Sequence, residues 1–193
     1  MNTTEITLRL LETGMLQFGE FRGQNGYAPL RLHLELLPAY PEFLVQIAQM
    51  VGALPPVGKA QRLVAAADTL PLGVSVSLQM GVSLVYSRGL GEPAAFDLVG
   101  AYDSGRTAVV LTNILDAGGS LPALIQRVRQ VGLHVHAVAG LLDLQTGLSL
   151  SDGDIFSVLT LTEILKILQE KALLPAGQIE SVYRWIQQQQ QPQ

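Results

Sequence analysis

The stretch Ala108 to Leu121, AVVLTNILDAGGSL, holds the residues best spaced for chemistry. An apolar run leads to Thr112 and Asn113, then to two apolar residues, then to Asp116-Ala117-Gly118-Gly119-Ser120 opening a helix. This is the outline of a phosphate-binding strand, turn and helix. Glycines let backbone N–H groups approach an anion at the helix N-terminus. The positions that would carry metal-organising carboxylates read Thr112 and Asn113, and neither ionises near pH 7. Asp116 places an anion in the turn itself, where the helix stabilises it by ~0.3–1 kcal/mol. A phosphate arriving within ~4 Å of that carboxylate would meet roughly 4 kcal/mol of repulsion per charge pair near a surface. The competing structural reading is that Gly118 and Gly119 serve backbone geometry and Ser120 caps the helix. Asp116 favours that reading, with the turn filled by the protein's own anion.

Other candidates are weaker. His134 and His136 share a strand face at a spacing that can hold a metal. No carboxylate or third histidine is near them in sequence, so two half-buried strand histidines are expected and no metal site. Arg88 is expected to be a solvated loop cation. Glu163 with Lys166, and Lys166 with Glu170, have helical spacing and read as surface pairs.

These residues need a scaffold that the rest of the chain supplies. Residues 3–13 read as an amphipathic helix, capped by Thr3 or Thr4 and ended by Gly14. Residues 16–21 read as a short strand, GQNG (23–26) as a turn, and LRLHLELL (30–37) as a half-buried strand by its strict alternation. Pro41 opens a helix over 41–51. Strands are expected over 62–67, 82–87, 96–102, 107–113 and 134–143. Helices are expected over 71–80, 120–132, 160–171 and 178–188, and a loop over 87–95. The 188–193 end, rich in glutamine, reads as a frayed tail. Near-continuous apolar strands alternating with helices imply an α/β fold, a mostly parallel central sheet with helices on both faces.

Composition bounds the function. The chain has 193 residues, 48% hydrophobic and 15% charged, which fits one compact domain with a large core. No apolar run reaches the ~20 residues a membrane span needs, and the N-terminus shows no secretory signal. Cysteine is absent, which excludes disulfides and thiolate chemistry. A cytoplasmic location is expected. The net charge is −4, Lys59, Lys166 and Lys171 are the only lysines, and no basic cluster forms. Nucleic-acid binding is therefore not expected, nor is membrane association.

The order of LLETGMLQFGEF, VSLVYSRG, FDLVGAYDSG, AVVLTNILDAGGS and a late TLTEILKIL helix resembles the orotate phosphoribosyltransferase family, from about Leu10 to Leu168. The resemblance implies the type I phosphoribosyltransferase fold. It implies a small N-terminal hood (about 1–38) over the carboxyl edge of a core (about 39–172), with a C-terminal helix and tail (173–193). It also implies a homodimer, for which the apolar 62–85 segment is available. The family joins orotate to phosphoribosyl pyrophosphate with magnesium. Four elements carry that reaction: a carboxylate pair, a phosphate turn, a pyrophosphate loop, and a mobile loop rich in Lys and Arg.

Each of the four departs from the pattern here. The acidic pair falls at Thr112 and Asn113. The phosphate turn falls at Asp116, Ala117, Gly118, Gly119 and Ser120, with its first hydroxyl replaced by Asp116. The pyrophosphate loop falls at Ala66, Ala67, Asp68 and Thr69, without glycine and with an acid. The mobile loop has Arg88 as its only cation and contains Glu92 and Asp97. The base-contacting lysine falls at Gln24, the aromatic contacts near Leu30 to His33, and a late arginine at Leu144 after Asp143. The expectation is an orotate phosphoribosyltransferase-like chain with no catalytic residue and no cofactor. It would keep the dimer and bind a small anionic ligand or a partner protein. The alternative is an active enzyme forming orotidine 5′-monophosphate with magnesium. A third reading, an altered enzyme, finds no new nucleophile, base or metal cluster in its support.

Overall fold

The computed structural model describes residues 1–23, 26–90 and 97–190. Gln24, Glu92 and the 191–193 end lie outside the described residues. Six strands form the central sheet in the order β5-β4-β3-β6-β7-β8. They are β3 (Arg62–Ala65), β4 (Leu84–Ser87), β5 (Leu98–Val99), β6 (Thr107–Leu115), β7 (His134–Asp143) and β8 (Asp154–Thr160). All neighbours pair parallel except β4 and β5. A separate antiparallel hairpin joins β1 (Leu16–Gly23) to β2 (Gly26–Leu32).

The apolar strands are buried on both faces, as parallel strands require. On one face Leu63, Val109, Leu111, Ala137 and Ala139 pack with α1 (Thr3–Glu12), α2 (Pro41–Gly52), α3 (Leu70–Met80), α5 (Leu161–Glu170) and α6 (Ala176–Gln189). On the other, Val64, Val110 and Val138 pack with Leu121, Leu124, Ile125 and Val128 of α4 (Leu121–Gln130). Close approach decides one sequence choice. A Cβ on Gly73 would lie 2.6 Å from the Ala65 Cβ, so α3 can sit this close to β3 only with glycine there.

Several local expectations are corrected. Asn2, not Thr3 or Thr4, caps α1, in a capping box with Glu5. The alternation over 30–37 does not make one strand. The ladder ends at Leu32, His33 N–H still donates to Met15 O, and Leu34–Ala39 winds into a 3₁₀ helix. Leu34 and Leu37 are buried there and Leu36 is exposed, the i, i+3 spacing that a 3₁₀ turn eclipses. The strand expected over 96–102 is only Leu98–Val99. The 62–67 strand stops at Ala65 and gives way to a 3₁₀ turn over Ala67–Thr69. Strand β8 (Asp154–Thr160) has no counterpart among the strands expected from the sequence. The ion pairs among the described residues do not include Glu163 with Lys166 or Lys166 with Glu170. Glu163 instead accepts from the Thr160 N–H, as the capping box at the start of α5.

Candidate functional site

Strand β6, the turn after it and α4 bring the sequence-selected residues to the carboxyl end of the sheet. Thr112 and Asn113 are the last polar residues of β6 and both are buried, at 5% and 3% exposure. Thr112 Oγ1 donates to Ile114 O at 2.8 Å. Gly140 of β7 lies opposite, where a Cβ would fall 3.2 Å from the Thr112 methyl. Asn113 is held across to the 3₁₀ turn. Its N–H donates to Thr69 Oγ1 at 3.0 Å, and its side-chain N–H donates to Asp68 O at 3.0 Å. The end of β6 is thus stitched to the 3₁₀ turn over Ala67–Thr69. Among the described residues Asn113 Oδ1 has no partner, and it is sealed from solvent, which costs about 1–3 kcal/mol.

The turn itself is folded onto its own acid. Asp116 Oδ1 accepts from Gly118 N–H at 3.1 Å and from Thr146 Oγ1 at 2.8 Å. Thr146 Oγ1 accepts in turn from Ala117 N–H at 2.9 Å. Two backbone donors of the turn are therefore already taken, and a carboxylate lies beside Gly118 and Gly119. Against the expectation from the sequence, Ser120 does not cap α4 with its side chain. It has near-helical angles (φ −75°, ψ −9°) and makes no side-chain cap bond. Pro122, in the first turn, removes a further N–H from the helix end.

Arg88 is exposed, as expected for a solvated cation. Its neighbour Gly89 sits against Ala67, in the 3₁₀ turn over Ala67–Thr69. Asp97 is not a solvated loop acid but fully buried. Its carboxylate accepts from Ser87 Oγ at 2.6 Å and Leu90 N–H at 3.0 Å, and lies 3.2 Å from Arg127 Nε of α4 without hydrogen-bond alignment at that nitrogen. Burial raises its pKa, but the Ser87 hydroxyl, the Leu90 N–H and the Arg127 charge outweigh that and lower it overall.

Sequence reasoning missed Thr146, which stands 30 residues from Asp116, and nothing in their spacing links them. His134 and His136 are exposed rather than half-buried. His136 Nδ1 lies 3.2 Å from Ala108 O. Among the described residues no three His, Cys, Asp or Glu are grouped to hold a metal. Magnesium takes hard oxygens, usually carboxylates. The residues at the acidic-pair position do not fit it: the hydroxyl of Thr112 is already bonded, and the Asn113 oxygen is sealed. No helix among the described residues is long and apolar enough to cross a membrane.

No protein-family model matches the chain. It is 26% identical over 176 residues to an orotate phosphoribosyltransferase of Chlamydia felis, covering 86% of this chain and 85% of the relative. Among solved structures it is similar to the UMP synthase of Leishmania donovani, with TM-score 0.85 and 23% identity. That match covers 96% of this chain and 42% of the longer one. It is also similar to an orotate phosphoribosyltransferase of Francisella tularensis, with TM-score 0.72 and 16% identity over 95% of this chain and 98% of that one. The architecture is that of the type I phosphoribosyltransferases.

Proposed function

We propose that this orotate phosphoribosyltransferase-like protein keeps the type I fold and a dimer, lacks the family's catalysis, and works in the cytoplasm as a binding or regulatory protein. The observation that carries this reading is the Asp116 carboxylate, bonded to Gly118 N–H and Thr146 Oγ1 inside the turn that would hold the phosphate. The anion the helix N-terminus favours is already supplied by the chain. The names of the relatives favour the competing reading, an active enzyme that forms orotidine 5′-monophosphate with magnesium.

Replacing the acid tests the blocked turn. Asp116→Thr restores a hydroxyl beside Gly118, Gly119 and Ser120 and removes the repulsion. Calorimetric titration of ribose 5-phosphate at low salt is expected to show at least about tenfold tighter binding to the variant, the equivalent of ~1.4 kcal/mol. The variant should also melt slightly lower, because the helix loses an anion worth up to ~1 kcal/mol. Equal binding by both forms would mean that the carboxylate does not block the turn.

The dimer is proposed from an uncovered face. Leu78 is 79% exposed, and Val45 and Val74 are more than 40% exposed. Gln79 Nε2 donates to Val45 O, tying α2 and α3 together there. No charged residue stands between Asp68 and Arg88, so α3 has no charged face to present to water. Leu78→Lys is expected to convert a dimer to a monomer at micromolar concentration in sedimentation equilibrium, without loss of helix signal. A wild-type monomer, or a variant that stays dimeric, contradicts this interface.

A further inference from the structure

We propose that the C-terminal helix is a clamp that keeps the phosphate turn shut, acting through Gln190, Gln145 and Thr146; this rests on the reading that Asp116 blocks the turn. The starting point is Gln145, the residue before Thr146. Its φ is +60°, in the left-handed region, which a side chain with a Cβ disfavours. Such a conformation persists where its surroundings over-determine it, and here four groups do. Gln145 N–H donates to Asp143 Oδ1 at 2.7 Å. Its side-chain Oε1 accepts from the Thr162 N–H at 3.0 Å and from the Thr162 hydroxyl. Thr162 lies in the first turn of α5, where backbone donors have no partner within the helix, so Gln145 satisfies one of them. The fourth group comes from the far end of the chain: Gln190 Nε2 donates to Gln145 O at 2.7 Å.

The carbonyl of Gln145 belongs to the peptide that leads directly into Thr146. A group that fixes this carbonyl fixes the direction in which the chain enters Thr146. Thr146 is 6% exposed, and its one hydroxyl both donates to Asp116 and accepts from Ala117 N–H. A small rotation of the 145–146 peptide breaks both bonds at once. The adjoining Leu144 N–H donates to Leu115 O, so the upstream side of the loop is already anchored to β6. The downstream side has Gly147, at φ +85°, and has to be held from outside. Gln190 is the group in place to do so. It makes Gln145, Thr146 and Gln190 positioning residues for Asp116 and gives the glutamine-rich end of α6 a mechanical role. A partner that draws this end away would open the turn.

Two readouts separate the clamp from the block. Amide hydrogen exchange at Ala117 and Gly118, followed by NMR on the full chain, reads the clamp. Titration with inorganic phosphate reads the block. Gln190→Ala keeps the helix end, because alanine is the better helix former, and Gln145→Ala removes the Thr162 anchor. Thr146→Val is the reference that cuts the lock directly. Exchange at Ala117 is expected to rise about fivefold in Gln190→Ala and more in Gln145→Ala, the change that one lost hydrogen bond typically produces, with tighter phosphate binding in parallel. If Thr146→Val speeds exchange while both glutamine variants leave it unchanged, the clamp is overturned and the blocked turn stands. If exchange rises in the glutamine variants but neither Thr146→Val nor Asp116→Thr improves phosphate binding, the clamp stands and the blocked turn is overturned.

Discussion

Purified protein given orotate, phosphoribosyl pyrophosphate and magnesium is expected to release no detectable orotidylate, with turnover far below about 1 s⁻¹, the low end of ordinary enzyme values. Removing a single preorganised group that stabilises transition-state charge typically costs about 10²–10³ in rate. Here three places that would supply such groups are altered together. At the acidic pair, Thr112 and Asn113 are buried and bonded to Ile114 and to the Asp68–Thr69 turn, so even their neutral oxygens are not offered to a substrate. At the turn proposed to have held the phosphate, Asp116 would repel an incoming anion. Along residues 84–107 there is no lysine to neutralise a leaving pyrophosphate. Such losses are not additive, but strong non-additivity still leaves a deficit of several powers of ten. Because two of the three changes are matters of folding, restoring one carboxylate with Asn113→Asp should not bring activity back. It would bury a charge against Thr69 and Asp68 instead. A coupled assay that follows orotate consumption checks both proteins, and wild-type turnover above about 1 s⁻¹ would establish the active reading.

The sequence made the scaffold legible where pattern and packing agree. The apolar runs of β3, β6 and β7 lie in the sheet as read, because strands buried on both faces have only one use for such runs. The helix over 41–51 followed from Pro41, and the one expected over 160–171 from its apolar patterning; the Thr160–Glu163 capping box that starts it emerged only in the structure. Two failures share a cause. Residues 30–37 alternate, but Leu34 and Leu37 also satisfy a 3₁₀ turn, and packing chose between them. Strand β8 follows Ser151-Asp152-Gly153, a turn-like run, and its pairing with β7 is a tertiary fact. The candidate site divides the same way. Its turn could be placed from Gly118-Gly119-Ser120, and the acid folded into it, proposed to block it, from Asp116. Thr146, Gln145 and Gln190 carried no signal, since each acts through a contact at a long sequence separation. Asp97 was visible as an acid, but its burial depends on Arg127, thirty residues on and in another element.

Asp97→Ala is expected to destabilise the protein by about 3 kcal/mol, the lower end of the cost of leaving one partner of a buried ion pair alone. The carboxylate is fully buried, whereas the Arg127 side chain keeps 21% exposure and can recover some hydration. The loss should not be purely electrostatic. Asp97 also takes the Ser87 hydroxyl and the Leu90 N–H, and its carbonyl accepts from the Arg88 N–H, so it ties the Ser87–Leu90 segment to α4. Removing Arg127 as well separates the terms. Asp97→Ala with Arg127→Met should recover part of the loss, because an apolar replacement of the pair leaves no charge stranded. The pH dependence follows from the direction of the shift. The folded-state pKa of Asp97 is lowered, despite burial, by Ser87, Leu90 and Arg127. A depressed carboxylate contributes stability that is fully present above its unfolded pKa of about 3.9 and is lost as pH falls through the lower folded value. The gap between wild type and Asp97→Ala should therefore hold constant from pH 8 to about pH 5 and narrow only below about pH 4. Urea unfolding at fixed protein concentration across that range measures it. A gap under about 0.5 kcal/mol, the scale of an ordinary surface change, would show that the latch contributes nothing. A gap that widened on acidification would show that the carboxylate is protonated in the fold.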